Sequence, residues 1–294
     1  YYLEGAARPA IVDGTAVDGM PQWNALTGQD LHTSVGDPLF ADAGGYDFHP
    51  RSPLGRYVTA LGGYLVTNEA YSPLVDAGSP YAAFTNEPPP NGGRRNVGIF
   101  GDTFEASKGR TNAWLRAVTG ASGGRAAGAF WLAWLWGNMP ATNTVRLEFS
   151  YDQGTNWVLI TSNQLVSTDQ YFWDSDLEPL ANSPVAKWRL TVEGTNAVTD
   201  ETDQTFSLNG PFGFYINDGD TLNDVYTFSI GSSNNLGLFP TGPKASLRDV
   251  LERWDLDGGD TIYVDTGVYN FSTNDVVFML YGDAGLPGAP VTVI

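Results

Sequence analysis

Only one stretch of this 294-residue chain carries a helical period. Along Lys244-Ala-Ser-Leu-Arg-Asp-Val-Leu-Glu-Arg-Trp254, the residues Leu247, Val250, Leu251 and Trp254 fall at i, i+3, i+4 and i+7, one apolar stripe of an amphipathic helix. Elsewhere short apolar pieces are separated by Gly, Pro, Asp and Asn, with 35 Gly and 18 Pro in all. Such a chain buries its apolar residues in short strands joined by tight turns, so an all-β class is expected. The length suffices for two or three domains and a substantial core.

Fifteen basic against 33 acidic residues give a net charge of −18, which makes nucleic acid and anionic membrane surfaces poor partners. There is no cysteine, so disulfides, thiolate catalysis and cysteine-based zinc sites are excluded together. A membrane span needs a run of ~18 apolar residues. The richest stretch, Gly128–Met139, is too short for that. No signal peptide is present and the first residue is Tyr1, so the sequence reads as a mature or internal piece.

Three regions differ in character. Residues 1–111 contain no helical period, only short apolar pieces such as Ala10–Val12, Pro38–Ala41, Tyr64–Val66, Leu74–Val75 and Val97–Phe100. Within them Asp37-Pro-Leu-Phe-Ala-Asp-Ala-Gly44 is echoed by Ser72-Pro-Leu-Val-Asp-Ala-Gly78, and more briefly by Ser52-Pro-Leu-Gly-Arg-Tyr57. Recurring strand-plus-turn units are what a solenoid produces. Residues 112–210 read as seven short strands at sandwich spacing: Trp114–Val118, Ala129–Trp136, Val145–Tyr151, Trp157–Thr161, Tyr171–Trp173, Trp188–Val192 and Thr205–Leu208. Residues 211–294 open on the strand Phe214-Tyr-Ile-Asn, pass through a polar loop into the helix, and continue as Gly259-Asp-Thr-Ile-Tyr-Val264.

Two of these regions resemble opposite ends of one architecture. Ser72, Pro73, Asp76, Ala77 and Gly78, with Asn96, Gly98 and Gly101 beyond the Pro88–Gly93 loop, resemble the closing coils of bacterial secreted right-handed parallel β-helix proteins. The order of strand, Gly-containing loop, Pro243-Lys-Ala-Ser-Leu helix and Gly259-Asp-Thr-Ile strand is similar to their entry segment. There the resemblance implies that the helix plugs the first coil. The expected organisation is therefore C-terminal coils and cap of a β-helix over 1–111, an immunoglobulin-like β-sandwich over 112–210, and the N-terminal cap and first coils of a β-helix over 211–294. One short α-helix is expected, capping the last piece. Pectate lyases and polygalacturonases share the fold, so the resemblance implies carbohydrate-active relatives. Their catalytic residues line middle coils that this chain lacks.

Asp255, Asp257 and Asp260 surround Gly258-Gly259, and Asp218, Asp220 and Asp224 cluster with Asn217 and Asn223. Both sets supply the hard oxygen ligands of a calcium site, although neither has the twelve-residue EF-hand spacing. The competing reading is solvated turns, where Asp and Asn are favoured for geometry alone. Trp134 and Trp136 share one face of a strand and are candidates to stack on sugar rings, against the alternative that they are core. Ser150-Tyr-Asp-Gln-Gly-Thr-Asn-Trp157 resembles the Asp-box, with Asn156 in place of Thr, and reads as a hairpin brace. His32 and His49 form no zinc or triad spacing.

The expected function is a structural or adhesive module of an extracellular or cell-surface protein or fibre, not an enzyme. Its expected partners are neighbouring domains or further copies stacked head-to-tail, with Val291–Ile294 meeting Tyr1–Val12. No cofactor is expected apart from the calcium alternative. The alternative function is a polysaccharide-binding or polysaccharide-cleaving protein, a lyase or glycoside hydrolase, whose working coils lie elsewhere.

Overall fold

The computed structural model describes residues 11–12, 15–17, 19–66, 70–194, 198–254, 256–270, 285–286 and 288–294. The described residues are mostly β, with two α-helices. In chain order the first elements are β1 (Ile11–Val12), β2 (Thr15–Ala16), α1 (Gly19–Thr27), β3 (Phe40–Asp42), β4 (Asp47–Pro50), β5 (Arg56–Val58) and β6 (Gly63–Leu65). They pair as antiparallel hairpins, β1 with β2, β3 with β4 and β5 with β6. No parallel ladder joins them, and Leu74–Val75 and Val97–Phe100 are turns and bends rather than strands.

Helix α1 corrects the expectation of a single helix. Its sequence, Gly-Met-Pro-Gln-Trp-Asn-Ala-Leu-Thr, has no clear apolar stripe, so no period announces it. Packing holds it instead. At Gly19, whose φ is +83°, a Cβ would stand 3.1 Å from the Gly124 Cα, so the helix start lies directly on the backbone just before the strand Arg125–Ala126.

The three related Pro-Leu units share one local device. Leu39 N donates to Asp37 Oδ1 (2.8 Å), Leu54 N to Ser52 Oγ (3.2 Å) and Leu74 N to Ser72 Oγ (3.1 Å). Each is a side-chain-closed turn of the Asx or Ser type. Ser52 and Ser72 are fully buried and donate onward, to Lys108 O and Pro38 O. The echo in the sequence is thus a repeated turn that ties distant segments together.

Asp76 anchors the rest of this region. It is fully buried, its N–H donates to Asn96 Oδ1 (2.8 Å), and its Oδ2 accepts from Arg110 N (2.9 Å) and Arg110 Nη1 (3.1 Å). Burial pushes its carboxyl above the ordinary carboxylate range, against the pull of Arg110. A Cβ at Gly92 or Gly109 would come within 2.1 or 2.0 Å of this carboxylate, so the site admits only glycine at both positions.

The central strands are β7 (Trp114–Ala117), β8 (Arg125–Ala126), β9 (Ala129–Gly137), β10 (Thr144–Ser150), β11 (Val158–Leu165), β12 (Gln170–Asp174), β13 (Ser183–Val192), β14 (Thr199–Glu201) and β15 (Phe206–Leu208). One sheet runs β12-β9-β7 and the other β11-β10-β13-β15-β8, with β14 also on the edge of β13. All pairs are antiparallel except β15 with β8. Both sheets feed one core, in which Phe130, Leu132, Trp134 and Trp173 meet Leu147, Phe149, Trp188 and Leu190. Every one of the seven stretches read as strands forms one. The two short additions, β8 and β14, carry no alternation to betray them.

Asp200, on β14, shows how this core meets the preceding region. It accepts a 2.7 Å bond from Ala117 N, while Arg116 reaches Pro73 O and Ser34 Oγ. Burial, helped by the Asp203 carboxylate, raises Asp200 from 3.8 to about 6 against the pull of Ala117 N–H and Arg116. A raised carboxyl favours the fold while protonated, so its contribution is full below 3.8 and is lost as pH rises through about 6. Asp200→Asn keeps an acceptor for Ala117 and cannot ionise. We expect it to stabilise the chain at pH 8 by on the order of 2 kcal/mol and to change little at pH 4. Urea unfolding at the two pH values checks this, and equal effects at both would contradict it.

The last elements are β16 (Gly213–Ile216), α2 (Leu247–Leu251), β17 (Thr261–Val264), β18 (Gly285–Leu286), β19 (Ala289–Pro290) and β20 (Thr292–Val293). β18 and β19 form a small antiparallel hairpin, but β16, β17 and β20 stack as a parallel sheet. Register is like on like: Phe214 beside Ile262, Ile216 beside Val264, and Tyr215 stacked on Tyr263 at 5.1 Å and 13°. Helix α2 is shorter than its periodic stretch, with Ser246 as N-cap accepting from Asp249 N. Its Val250 and the following Trp254 seal a core of Phe214, Ile216, Leu256 and Ile262, joined by Val185 from β13.

Candidate functional site

The aromatic candidates separate. Trp134 is fully buried, and its Nε1 donates to Val166 O at 2.9 Å, so it is a core residue and offers no ring to a ligand. Trp136, two residues on, is only partly buried and lines a cleft of ≈ 680 Å³ where the central strands meet the Pro80–Arg94 segment. Strand alternation places both on one face, as expected, but the face runs off the core edge at Trp136.

Tyr81 stands at this cleft with 93% of its surface exposed. Asp169, Asn138 and Met139 complete the wall with Arg94. Asp169 and Asn138 both hold positive φ, at 51° and 53°, which Asp and Asn tolerate better than other side chains. Asp169 is fixed from both sides: its N–H donates to Val166 O, and its Oδ1 lies 3.2 Å from His32 Nε2. Asn138 Nδ2 donates to Arg110 O at 2.7 Å.

Arg94 is 4% exposed, and its Nε and Nη2 both donate to Gly78 O, at 2.9 and 2.6 Å. Its Nη1 and the Trp136 Nε1 are buried without a hydrogen-bond partner. Burial lowers the Arg94 guanidinium, partly offset by Asp169 and Asp76. Both unpartnered atoms belong to residues of the cleft lining and lie buried behind its surface.

The calcium candidates are spent on the backbone. Asp218 Oδ1 accepts from Asp220 N and its Oδ2 from Val268 N, and these two N–H groups hold its carboxyl below the ordinary range. Asp220 Oδ1 accepts from Leu222 N, and Asp224 Oδ2 from the buried Asn217 Nδ2. Asp260, almost fully buried, accepts from Phe212 N and Asp257 N. Among the described residues no three His, Asp or Glu side chains are grouped to hold a metal ion. Asp255 lies outside the described residues. The carboxylates of Asp218, Asp220, Asp224 and Asp260 each accept hydrogen bonds from the protein itself.

The Asp-box-like segment is a brace. Asp152 Oδ1 accepts from Ser150 Oγ and Asn156 N, while Asn156 Nδ2 reaches Asp152 Oδ2 at 2.6 Å. Asn156 thus takes the carboxylate with two nitrogens. Trp157 packs under Arg189, whose guanidinium sits 4.1 Å from the ring centre. His49 bonds Asp47 Oδ1 at 2.6 Å and stacks on Phe100, deep in the first region.

Comparison with known protein families, curated proteins and solved structures finds no match for this chain.

Among the described residues no helix is long and apolar enough to cross a membrane. The cleft residues escaped the sequence reading, Trp136 excepted. Tyr81, Arg94 and Asp169 stand far apart along the chain, and no spacing rule connects them.

Proposed function

We propose that this chain is a structural, adhesive module of an extracellular surface protein or fibre, and not an enzyme. On this reading residues 112–210 are an immunoglobulin-like spacer and residues 211–294 begin a right-handed parallel β-helix, whereas the described strands of residues 1–111 pair as antiparallel hairpins and not as parallel coils. The observation that carries it is the parallel sheet β16-β17-β20 under its helical plug, with identical or similar side chains stacked in register. Stacking of like residues along parallel strands is the repeating contact of a solenoid, whose coils gain stability from their neighbours.

Further support comes from how the polar residues are spent. Asp76, Asn96, Asn217, Asp260 and Asp265 close turns and hold backbone N–H or C=O groups. Such a chain invests its polar chemistry in rigidity.

The outer edge of β20 faces no other strand among the described residues, and Val293 and Ile294 are 51% and 53% exposed. A neighbouring unit stacked there would extend the sheet. Head-to-tail contacts of this kind do not close and give filaments. The expected mating surface near Tyr1–Val12 lies largely outside the described residues, and its Ile11–Val12 pairs with Thr15–Ala16.

Light scattering on the purified chain tests the reading. Average mass should grow with concentration, and deletion of residues 286–294 should abolish the growth. Growth that survives the deletion would refute head-to-tail stacking.

A further inference from the structure

We propose that the cleft between Tyr81 and Trp136 binds a neutral hexopyranose glycan. Its volume, ≈ 680 Å³, accommodates one or two sugar rings. Aromatic rings present apolar faces that match the C–H faces of a pyranose, and both the exposed Tyr81 and the partly buried Trp136 line the cleft.

The polar groups narrow the ligand. Arg94 is more than nine-tenths buried and keeps Nη1 unpartnered, and Trp136 Nε1 is likewise without a partner. Both are donors buried behind the cleft lining. Asp169 supplies a carboxylate acceptor in the same wall.

A sugar hydroxyl can donate to the partly exposed Asp169 carboxylate in the cleft lining. A carboxylate only accepts, and it would face Asp169 and a chain of net charge −18. Uronates are therefore disfavoured, and the neutral hexoses fit.

The proposal gives the adhesive function a ligand and rests on that reading only for its role in adhesion. Assembly and glycan binding are read in separate assays, so either can fail alone.

The test is an array of neutral gluco-, manno- and galacto-oligosaccharides beside oligogalacturonates. The strongest responder is then titrated into the intact chain by tryptophan fluorescence. At least one neutral oligomer should bind, and Tyr81→Ala and Asp169→Asn should each weaken it by about tenfold. Tyr81 is exposed and Asn tolerates the Asp169 backbone, so both variants should keep the parent's unfolding midpoint. Trp136→Phe, which removes the donor and keeps a ring, should weaken binding less than Tyr81→Ala does. Absence of any neutral binder at millimolar concentration, binding of uronates alone, or parental affinity in both the Tyr81 and Asp169 variants would overturn the proposal.

Discussion

Trp188→Ala is expected to cost the chain about 3–5 kcal/mol of folding stability, the range for emptying a buried aromatic site. Trp188 has no exposed surface, and its Nε1 donates to Thr119 O at 2.6 Å. Thr119 in turn bonds Trp131 O and Ala133 N of β9, so the indole ties β13 in one sheet to the backbone of the other. Truncation removes both the volume at the centre of the core and the bond across it. The matched control is Trp157→Ala, where a half-buried ring under Arg189 should cost about 1 kcal/mol. Urea unfolding of the two variants reads the difference. Equal losses would mean that the two sheets do not share the core described above.

Asp265→Ala should be nearly as damaging, but locally. The carboxylate accepts from Val225 N (2.6 Å), Tyr226 N (2.9 Å), Thr227 N (2.7 Å), Thr227 Oγ1 (2.8 Å) and Thr266 N (2.9 Å). Without it these donors lose one common acceptor, and the Asn217–Tyr226 loop loses its tether to the end of β17. A loss of about 3 kcal/mol follows if the buried donors stay dry. Burial pushes the Asp265 carboxyl up, yet the donors outweigh it and hold it below 3.8. For a lowered carboxyl the stabilisation is present above 3.8 and disappears as pH falls through its depressed value. Amide exchange at Val225, Tyr226 and Thr227 should therefore be slow in the parent at pH 5 and fast in the variant. Unchanged exchange at those three amides would contradict the role assigned to Asp265.

The sequence was most legible where alternation was strong. Arg146-Leu-Glu-Phe-Ser and Trp188-Arg-Leu-Thr-Val each put every second residue into the core, and β10 and β13 pair along their length as a result. The stripe at Leu247, Val250, Leu251 and Trp254 likewise found its core, although only five residues are helical. Legibility failed where geometry rests on single side chains. Helix α1 is held by close packing at Gly19, and the Pro38–Gly109 region by buried Ser52, Ser72 and Asp76, none of which creates a period. Clustering of Asp218, Asp220 and Asp224 pointed to calcium because sequence shows the carboxylates and hides the N–H groups that occupy them. Trp134 and Trp136 share a face, but where that face leaves the core depends on the strands that flank it.

The most direct test of the central claim is an assembly measurement on Val293→Pro. In β20, Thr292 N donates to Asp260 O and Ile294 N to Ile262 O, both 2.9 Å, so alternation turns the Val293 N–H to the outer edge. Proline at 293 removes that donor and keeps the bonds to β17. Negative-stain microscopy and sedimentation of parent and variant, at equal concentration and with matched unfolding midpoints, give the answer. Head-to-tail stacking predicts filaments in the parent and single chains in the variant. Filaments of the same length in both, or single chains in the parent, would contradict it.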